Sequence, residues 1–167
     1  MKKKNKIPKI FLIDVDGVLN TGQFLYDSTG KKFKIFGPDD SDALKILNKY
    51  MKILFISGDK RGFNISKKRV TDMNFNIRLV DTLSRFEWIQ KNYKSDEIIY
   101  MGDGIFDHIV FKKVYYSICP SNADINCVKS ADFVTARKGG ERALSEACDH
   151  ILKVFFNQSF KKILSSN

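Results

Sequence analysis

The chain has 167 residues, 43% of them hydrophobic, which favours one domain over residues 1–167 with a sizeable core. Its apolar runs have the length of strands, which argues against a membrane-spanning helix, and its basic start lacks the longer apolar region of a signal peptide. We therefore predict a cytoplasmic protein without a membrane partner. The three cysteines show no CxxC spacing and are predicted to be buried, inert thiols.

The net charge of +10 at pH 7 is compatible with a nucleic-acid-binding protein. The lysines and arginines are, however, spread along the whole chain, and no nucleic-acid-binding motif contains them. A diffuse positive field also raises the rate at which an anionic small substrate arrives. We predict no nucleic-acid partner, and a merely lysine-rich composition stays open as the explanation of the charge.

The first predicted element is a buried strand, because the apolar run at 11–13 is bounded by a turn signal. Asp14 and Asp16 stand one residue apart at the end of this strand, and Gly17 follows Asp16. Open α/β sheets bind their ligands at the carboxyl ends of strands. Two carboxylates this close repel each other, and their burial is costly without a cation. We therefore expect a cation here, with Mg²⁺ as the first candidate.

The next stretch predicts a β-hairpin followed by a helix. Aromatic-rich runs at 24–26 and 33–36 flank the turn-forming stretch 27–31, which is typical of two antiparallel strands. The helix is predicted to begin near 38–41, where Asp or Ser can cap it, and its apolar face lies within 43–50.

Strands and helices alternate over the rest of the chain. This alternation predicts an α/β fold with a doubly wound, Rossmann-like parallel sheet, and right-handed crossovers place the carboxyl ends of its strands along one edge. The predicted strands lie at 53–56, 77–80, 97–101, 115–119 and 133–134, and the predicted helices at 65–73, 83–93, 105–113, 123–129 and 141–156.

Three of the predicted strand ends carry polar groups. Asp14 and Asp16 follow the first strand, Ser57 follows the strand at 53–56, and Asp103 with Asp107 follow a later one. A single Asp after a strand is more often a helix cap or a turn residue than a catalyst. Chance explains one such residue more easily than it explains the combination of Asp-x-Asp-Gly, Ser-Gly and Gly-Asp-Gly-x-x-Asp at three strand ends. We therefore expect these groups to meet in one crevice.

These motifs resemble those of the haloacid dehalogenase superfamily of phosphatases. The stretch 14–18 resembles the first motif, Ser57 the second, and 102–107 the fourth. Within the superfamily, the chain is most similar to small phosphatases of phosphorylated sugar acids, which act on octulosonate 8-phosphates or nonulosonate 9-phosphates. This second resemblance is carried by the stretches 16–22 and 138–143 and by the predicted hairpin with its turn at 27–30.

The resemblance implies a role for each residue at the strand ends. Asp14 would attack phosphorus and form an aspartyl-phosphate, and Asp16 would act as general acid and then as general base. Mg²⁺ would be held by the Asp14 carboxylate, the Asp16 backbone carbonyl and Asp103. Asp107, one helical turn after Asp103, would orient a metal-bound water or support another member of the site.

Phosphate binding would involve Ser57 and the backbone amides that begin at Gly58. The third motif of the superfamily is usually a lysine, and this chain departs from that pattern. The best-placed cation is Arg85, at the start of the predicted helix, with Lys91 as the alternative. Arginine keeps the positive charge and can bind phosphate through two parallel hydrogen bonds, but it is bulkier than lysine.

The intervals between the motifs leave no room for the cap domain by which many relatives cover their substrates. The resemblance implies a homotetramer instead, in which the hairpin of one subunit helps to cover the site of its neighbour. The alternative is that the hairpin packs onto its own sheet. Apolar side chains that would serve such an interface are Phe24, Leu25, Tyr26, Phe33, Ile35 and Phe36.

Three further residues are candidates for substrate recognition. Asp59 stands where octulosonate phosphatases tend to carry arginine and where some nonulosonate phosphatases carry an acid. An acidic side chain suits hydroxyl or amine groups of a substrate, although Arg61 lies close in sequence. Arg69 and Lys138 are candidates for binding the substrate carboxylate.

We therefore predict a Mg²⁺-dependent phosphatase of a small phosphorylated sugar acid. A catalytically weak accessory or binding module, linked to sugar-nucleotide synthesis, is the alternative from another class. The presence of both Asp14 and Asp16 argues against the alternative, because a protein without the activity is expected to lose one of them. A nucleic-acid-binding protein is supported by the net charge alone.

Overall fold

The computed structural model describes residues 6–165, which contain a parallel sheet flanked by helices and a separate antiparallel hairpin. The strands are β1 (Ile10–Asp14), β2 (Asn20–Asp27), β3 (Gly30–Phe36), β4 (Lys52–Ser57), β5 (Ile77–Leu79), β6 (Ile98–Met101), β7 (Tyr116–Cys119) and β8 (Phe133–Val134). The helices are α1 (Asp40–Leu47), α2 (Phe63–Asp72), α3 (Arg85–Asn92), α4 (Asp107–Phe111), α5 (Ile125–Ser130), α6 (Ala143–Phe156) and α7 (Phe160–Leu164).

Within residues 6–165 the sheet has six strands in the order β5-β4-β1-β6-β7-β8, and every pair of neighbours is parallel. The predicted doubly wound sheet is therefore confirmed. Strand β1 is central, and its side chains alternate between the two faces. Phe11 and Ile13 join a core with side chains from α1, α2 and α6, whereas Leu12 joins one with side chains from α3, α4 and α5.

The register of the sheet brings three strand ends together. Strand β1 lies between β4 and β6, with Asp14 opposite Ile56 and Ile13 opposite Met101. Residues that directly follow these strands therefore lie at one edge, as expected from the parallel topology. Within the described residues no further domain interrupts the sheet, which agrees with the predicted lack of a cap.

Some predicted helices differ from the observed ones at their ends. Helix α4 has only five residues, because the stretch after β6 forms a loop up to Phe106. Helix α6 begins at Ala143 rather than near 141, after Arg142 adopts a left-handed conformation with φ of 72°. Helix α7 was not predicted, although Ser159 caps it by accepting a hydrogen bond from the Lys162 amide at 3.2 Å.

Most apolar side chains of the hairpin of β2 and β3 are exposed and do not pack onto the sheet of their own chain. Phe33 is 63% exposed, and other apolar side chains of the hairpin are also exposed. Phe36, at the end of β3, is partly buried against the core. The three cysteines are buried and unpaired, as predicted. Among the described residues no helix is long and apolar enough to cross a membrane.

Candidate active site

The turn after β1 places Asp14 and Asp16 at the edge of the sheet. Asn20 stabilises this turn, because its side-chain oxygen accepts hydrogen bonds from the amides of Gly17 at 3.0 Å and Gly22 at 2.8 Å. Gly17 has φ of 81°, and a Cβ atom there would lie 1.9 Å from the Asp103 carboxylate. A glycine is therefore required both for the turn and for the close approach of Asp103.

The loop that precedes α6 packs against the turn that follows β1. A Cβ atom on Gly139 would lie 1.7 Å from the carbonyl oxygen of Gly17, so the two backbones are in direct contact. The Gly140 amide donates a hydrogen bond to the Val18 carbonyl at 3.0 Å, and the Gly139 amide donates one to Asn122 at 2.9 Å. This contact accounts for the two consecutive glycines.

Asp14, Arg85, Tyr100 and Asp107 form a buried group that we term the arginine cluster. The Nη1 atom of Arg85 donates to Asp14 Oδ2 at 2.8 Å, to Asp107 Oδ1 at 2.8 Å and to the Tyr100 hydroxyl at 2.7 Å. Arg85 is only 2% exposed, and a buried guanidinium requires such anionic partners. The structure thus brings the predicted cation Arg85 to Asp14, whereas Lys91 is exposed.

Asp107 connects the arginine cluster to the loop after β6. Its Oδ2 atom accepts hydrogen bonds from the amides of Asp103 at 3.0 Å and Gly104 at 2.9 Å. Its Oδ1 atom accepts from Arg85 and from the Tyr100 hydroxyl, the latter at 2.6 Å. Both oxygens already have two donors, which suits a supporting residue better than a ligand.

Three carboxylates of the site are close enough to hold a metal ion together. Asp14, Asp103 and Asp107 each offer one oxygen, and these oxygens lie within 4.8 Å of one another. Burial raises the pKa of Asp14 to about 6 against the opposing charge of Arg85. Burial and the charges of Asp14 and Asp107 raise the pKa of Asp103 to about 8. The three carboxylates together carry more negative charge than the single Arg85 guanidinium balances, and a divalent cation fits this excess. Because both oxygens of Asp107 already accept hydrogen bonds, Asp14 and Asp103 are the better-placed ligands of the three.

Asp16, Lys31, Lys34 and Asp59 form a second group, which we term the lysine cluster. The Nζ atom of Lys34 lies 2.6 Å from Asp16 Oδ1 and 2.9 Å from Asp59 Oδ2, and it donates to Ser66 Oγ at 2.8 Å. Lys31 pairs with Asp59. Although burial opposes ionisation, the hydrogen bonds from Lys31 and Lys34 lower the pKa of Asp59 to about 2. Both lysines come from the hairpin of the same chain.

Ser57 lies between the two aspartates of the lysine cluster. Its hydroxyl donates to Asp16 Oδ2 at 3.1 Å and accepts a hydrogen bond from the Asp59 amide at 3.2 Å. An open depression of about 270 Å³ lies above these groups. The residues that line it are Asp14, Asp16, Phe24, Lys31, Gly58, Asp59, Thr82 and Arg85.

The structure therefore brings together most of the residues expected from the sequence, but not Arg69 and Lys138. Neither of these two residues lines the depression. Arg69 lies on α2, where its charge acts on the buried Asp40. Lys138 is exposed and lines a separate depression beside Pro38 and Arg142.

Four residues of the site were missed by the sequence reasoning, namely Asn20, Lys31, Lys34 and Tyr100. Asn20 follows the first motif closely, and this position beside a turn was an available signal. Tyr100 lies in the strand predicted at 97–101, where its apolar neighbours give no sign of a role in the site. Lys34 alternates with Phe33 and Ile35, and this pattern gives no sign of a buried partner.

The parallel sheet, the paired aspartates and the arginine cluster define a protein that resembles the phosphatases of the haloacid dehalogenase superfamily. No family model matches the chain. The 3-deoxy-D-manno-octulosonate 8-phosphate phosphatase KdsC of Haemophilus influenzae is 28% identical over 159 residues, which cover 92% of this chain and 87% of KdsC. Among such phosphatases, the chain is thus similar to KdsC.

Solved structures agree with this similarity. The cobalt-bound deoxy-D-mannose-octulosonate 8-phosphate phosphatase of H. influenzae superposes with a TM-score of 0.75 at 28% identity, covering 87% of this chain and 88% of that one. The phosphatase of Moraxella catarrhalis, solved with magnesium, phosphate and KDO, has a TM-score of 0.77 at 24% identity, covering 95% and 92%. The second comparison supports the fold.

Proposed function

We propose that this chain is a Mg²⁺-dependent phosphatase that hydrolyses a phosphorylated sugar acid, of the 3-deoxy-octulosonate 8-phosphate or nonulosonate 9-phosphate type. The observation that carries the proposal is the pair Asp14 and Asp16 at one open depression, each held by different partners. The names of the similar proteins support the substrate class.

In the first step, a carboxylate oxygen of Asp14 attacks phosphorus and the bond from phosphorus to the sugar oxygen breaks. Asp14 is held for this attack at both oxygens, by the Val15 amide at 2.8 Å and by Arg85 at 2.8 Å. Asp16 gives its proton to the departing sugar oxygen, so that the sugar leaves as an alcohol. The product on the enzyme is an aspartyl-phosphate at Asp14.

In the second step, water attacks the phosphorus of the aspartyl-phosphate and Asp16 accepts a proton from that water. Inorganic phosphate leaves and the Asp14 carboxylate is regenerated. Ser57, the Gly58 amide and Arg85 are proposed to bind the phosphate oxygens. A magnesium ion held by Asp14, Asp103 and the Asp16 carbonyl would reduce the repulsion between carboxylate and phosphate, and Asp107 would support the loop that carries Asp103.

Recognition of the sugar acid is proposed to involve the rim formed by Asp59 and Lys31. Among the residues that line the depression, Lys31 and Arg85 carry positive charge. Lys31 is therefore better placed than Arg69 or Lys138 to attract a substrate carboxylate. Asp59 can accept hydrogen bonds from hydroxyl or amine groups of the sugar.

We also propose that the chain forms a homotetramer through its hairpin. The exposed apolar side chains of β2 and β3 support this, because such a surface is costly to leave in water. The proposal is tested by light scattering coupled to size-exclusion chromatography. The wild-type protein should have the molar mass of a tetramer, and Phe33→Glu should have that of a dimer or a monomer. A wild-type protein that elutes as a monomer would contradict it.

The function is tested by phosphate release from a panel of substrates with purified protein and MgCl₂. The panel contains 3-deoxy-octulosonate 8-phosphate, several nonulosonate 9-phosphates, 6-phosphogluconate and p-nitrophenyl phosphate. We expect turnover of one sugar-acid phosphate, its loss after EDTA treatment, and its return with added Mg²⁺. Failure to release phosphate from every compound would favour the accessory module instead.

A further inference from the structure

Lys34 is buried although it belongs to a largely exposed hairpin. Its side chain has no exposed surface, whereas the side chains of the neighbouring Phe33 and Ile35 are exposed. Burial of an ammonium group costs several kcal/mol unless anionic and polar partners surround it. The partners of Lys34 come from three separate parts of the chain: Asp16 after β1, Asp59 after β4, and Ser66 on α2.

Lys34 takes part in fixing the orientation of the Asp16 carboxylate. Asp16 Oδ1 receives Lys34 at 2.6 Å and the Asn20 amide group at 2.8 Å, while Oδ2 receives the Ser57 hydroxyl at 3.1 Å. Asp59 and Ser66 in turn hold the Lys34 ammonium. Without Lys34, Asp16 would lose its charged donor, and the remaining neutral donors would restrain it less.

We propose that Lys34 is a positioning residue that holds the Asp16 carboxylate in the orientation needed for proton transfer to the leaving sugar oxygen. This proposal rests on the proposed function. Because Lys34 is fully buried, it acts through Asp16 and not on the substrate. The hairpin thereby contributes to catalysis within its own chain.

The proposal makes the effect of Lys34 depend on the leaving group. A sugar-acid phosphate is an alkyl phosphate, and its leaving oxygen needs the proton of Asp16 when the bond to phosphorus breaks. If the carboxyl group of Asp16 is displaced, it transfers this proton poorly. Nitrophenolate leaves without a proton. A general loss of structure would instead slow the attack by Asp14 on both kinds of substrate.

The test compares Lys34→Met with wild type on p-nitrophenyl phosphate and on the sugar-acid phosphate that the panel identifies. We compare kcat/KM, because it covers only the steps up to release of the first product. The alkyl phosphate should lose about 10²-fold in kcat/KM, and p-nitrophenyl phosphate should change by no more than about threefold. Equal losses on the two substrates would overturn the proposal.

A matched control is Lys32→Met, which removes the same charge from the same strand. Lys32 is exposed and lies 3.6 Å from Asp27, on the hairpin itself. This variant should behave as wild type on both substrates. A selective loss on the alkyl phosphate in Lys32→Met would assign the effect to the charge of the hairpin and overturn the proposal.

Two further variants keep the test decisive if Lys34→Met does not fold. Ser66→Ala removes one anchor of Lys34 and should lower kcat/KM for the alkyl phosphate alone, by about threefold. In an Asp16→Asn background, Ser66→Ala should cause no additional loss, because its effect passes through Asp16. Additive losses would contradict this. If wild type hydrolyses neither substrate, the proposed function itself has failed.

Discussion

Asp14 belongs to the arginine cluster and Asp16 to the lysine cluster, although only one residue separates them in sequence. The side chains that hold these two aspartates come from different parts of the molecule. Asp14 is held by Arg85 at the start of α3, together with Tyr100 on β6. Asp16 is held by Lys34, on the hairpin. The proposed nucleophile therefore depends on the central sheet, whereas the proposed acid and base depends on a peripheral segment. The two functions should be separable by mutation.

The largest losses of activity are expected from substituting the two aspartates, and the two substitutions should differ in how the loss depends on the substrate. Asp14→Asn should reduce kcat/KM by about 10⁴-fold or more on every substrate, because an amide cannot form the aspartyl-phosphate. Asp16→Asn should reduce turnover of alkyl phosphates by about 10²–10⁴-fold and that of p-nitrophenyl phosphate far less. Steady-state kinetics measure both, with circular dichroism as the control for folding. Appreciable turnover by Asp14→Asn would rule out its role as nucleophile.

The next effect concerns the cation of the arginine cluster. Arg85→Met leaves Asp14 and Asp107 buried without a positive charge, so the free energy of unfolding should fall by about 3 kcal/mol. Activity should fall by about 10²-fold on both leaving groups, in contrast to Lys34→Met. Urea denaturation and kinetics measure these changes. Arg85→Lys restores the charge but not the three contacts, and should recover only part of each loss.

A smaller effect is expected for Tyr100→Phe, which keeps the ring but removes the hydroxyl between Arg85 and Asp107. The free energy of unfolding should fall by about 1 kcal/mol, the usual net contribution of such a hydrogen bond. Activity should fall by a few-fold on both substrates, because the orientation of Arg85 is less restricted. A loss confined to the alkyl phosphate would show that the two clusters are not independent.

The smallest effect on activity is expected at Asp40, a buried carboxylate outside both clusters. Its Oδ1 atom accepts a hydrogen bond from the Ser145 amide at 3.0 Å, while Oδ2 has no partner within residues 6–165. Burial raises the pKa of Asp40 to about 6. Between its unfolded pKa and 6 the folded state holds more protons, so this group lowers stability as the pH rises through that window.

Asp40→Asn keeps an acceptor for Ser145 and removes the buried charge. Relative to wild type it should be stabilised by about 2 kcal/mol at pH 7 and show little difference near pH 4. Urea denaturation over this pH range measures the difference, and kcat/KM should be unchanged. A difference that grows towards low pH would contradict the assignment.

The sequence was informative where a residue follows a buried strand. Asp14, Ser57 and Asp103 were predicted together because each follows an apolar run, either directly or after one glycine, and parallel topology then brings such positions to one edge. Arg85 was predicted because the resemblance to the superfamily implies a cation as the third motif, and Arg85 is the cation at the start of the predicted helix before the fourth motif. Lys34 and Tyr100 were not predicted, because no local pattern marks their partners: Lys34 binds Asp16, 18 residues away, and Tyr100 lies in an apolar strand, 15 residues from Arg85 and seven from Asp107.

The contact between Gly139 and Gly17 has a consequence for how the protein is made. The turn that carries Asp16 lies near the beginning of the described chain, and the loop that supports it is about 120 residues later. During synthesis, the ribosome must therefore release residues beyond 140 before this turn has its full set of neighbours. A shorter nascent chain, even one that already contains β4 and β6 on either side of β1, still lacks the loop against which the Asp16 turn packs.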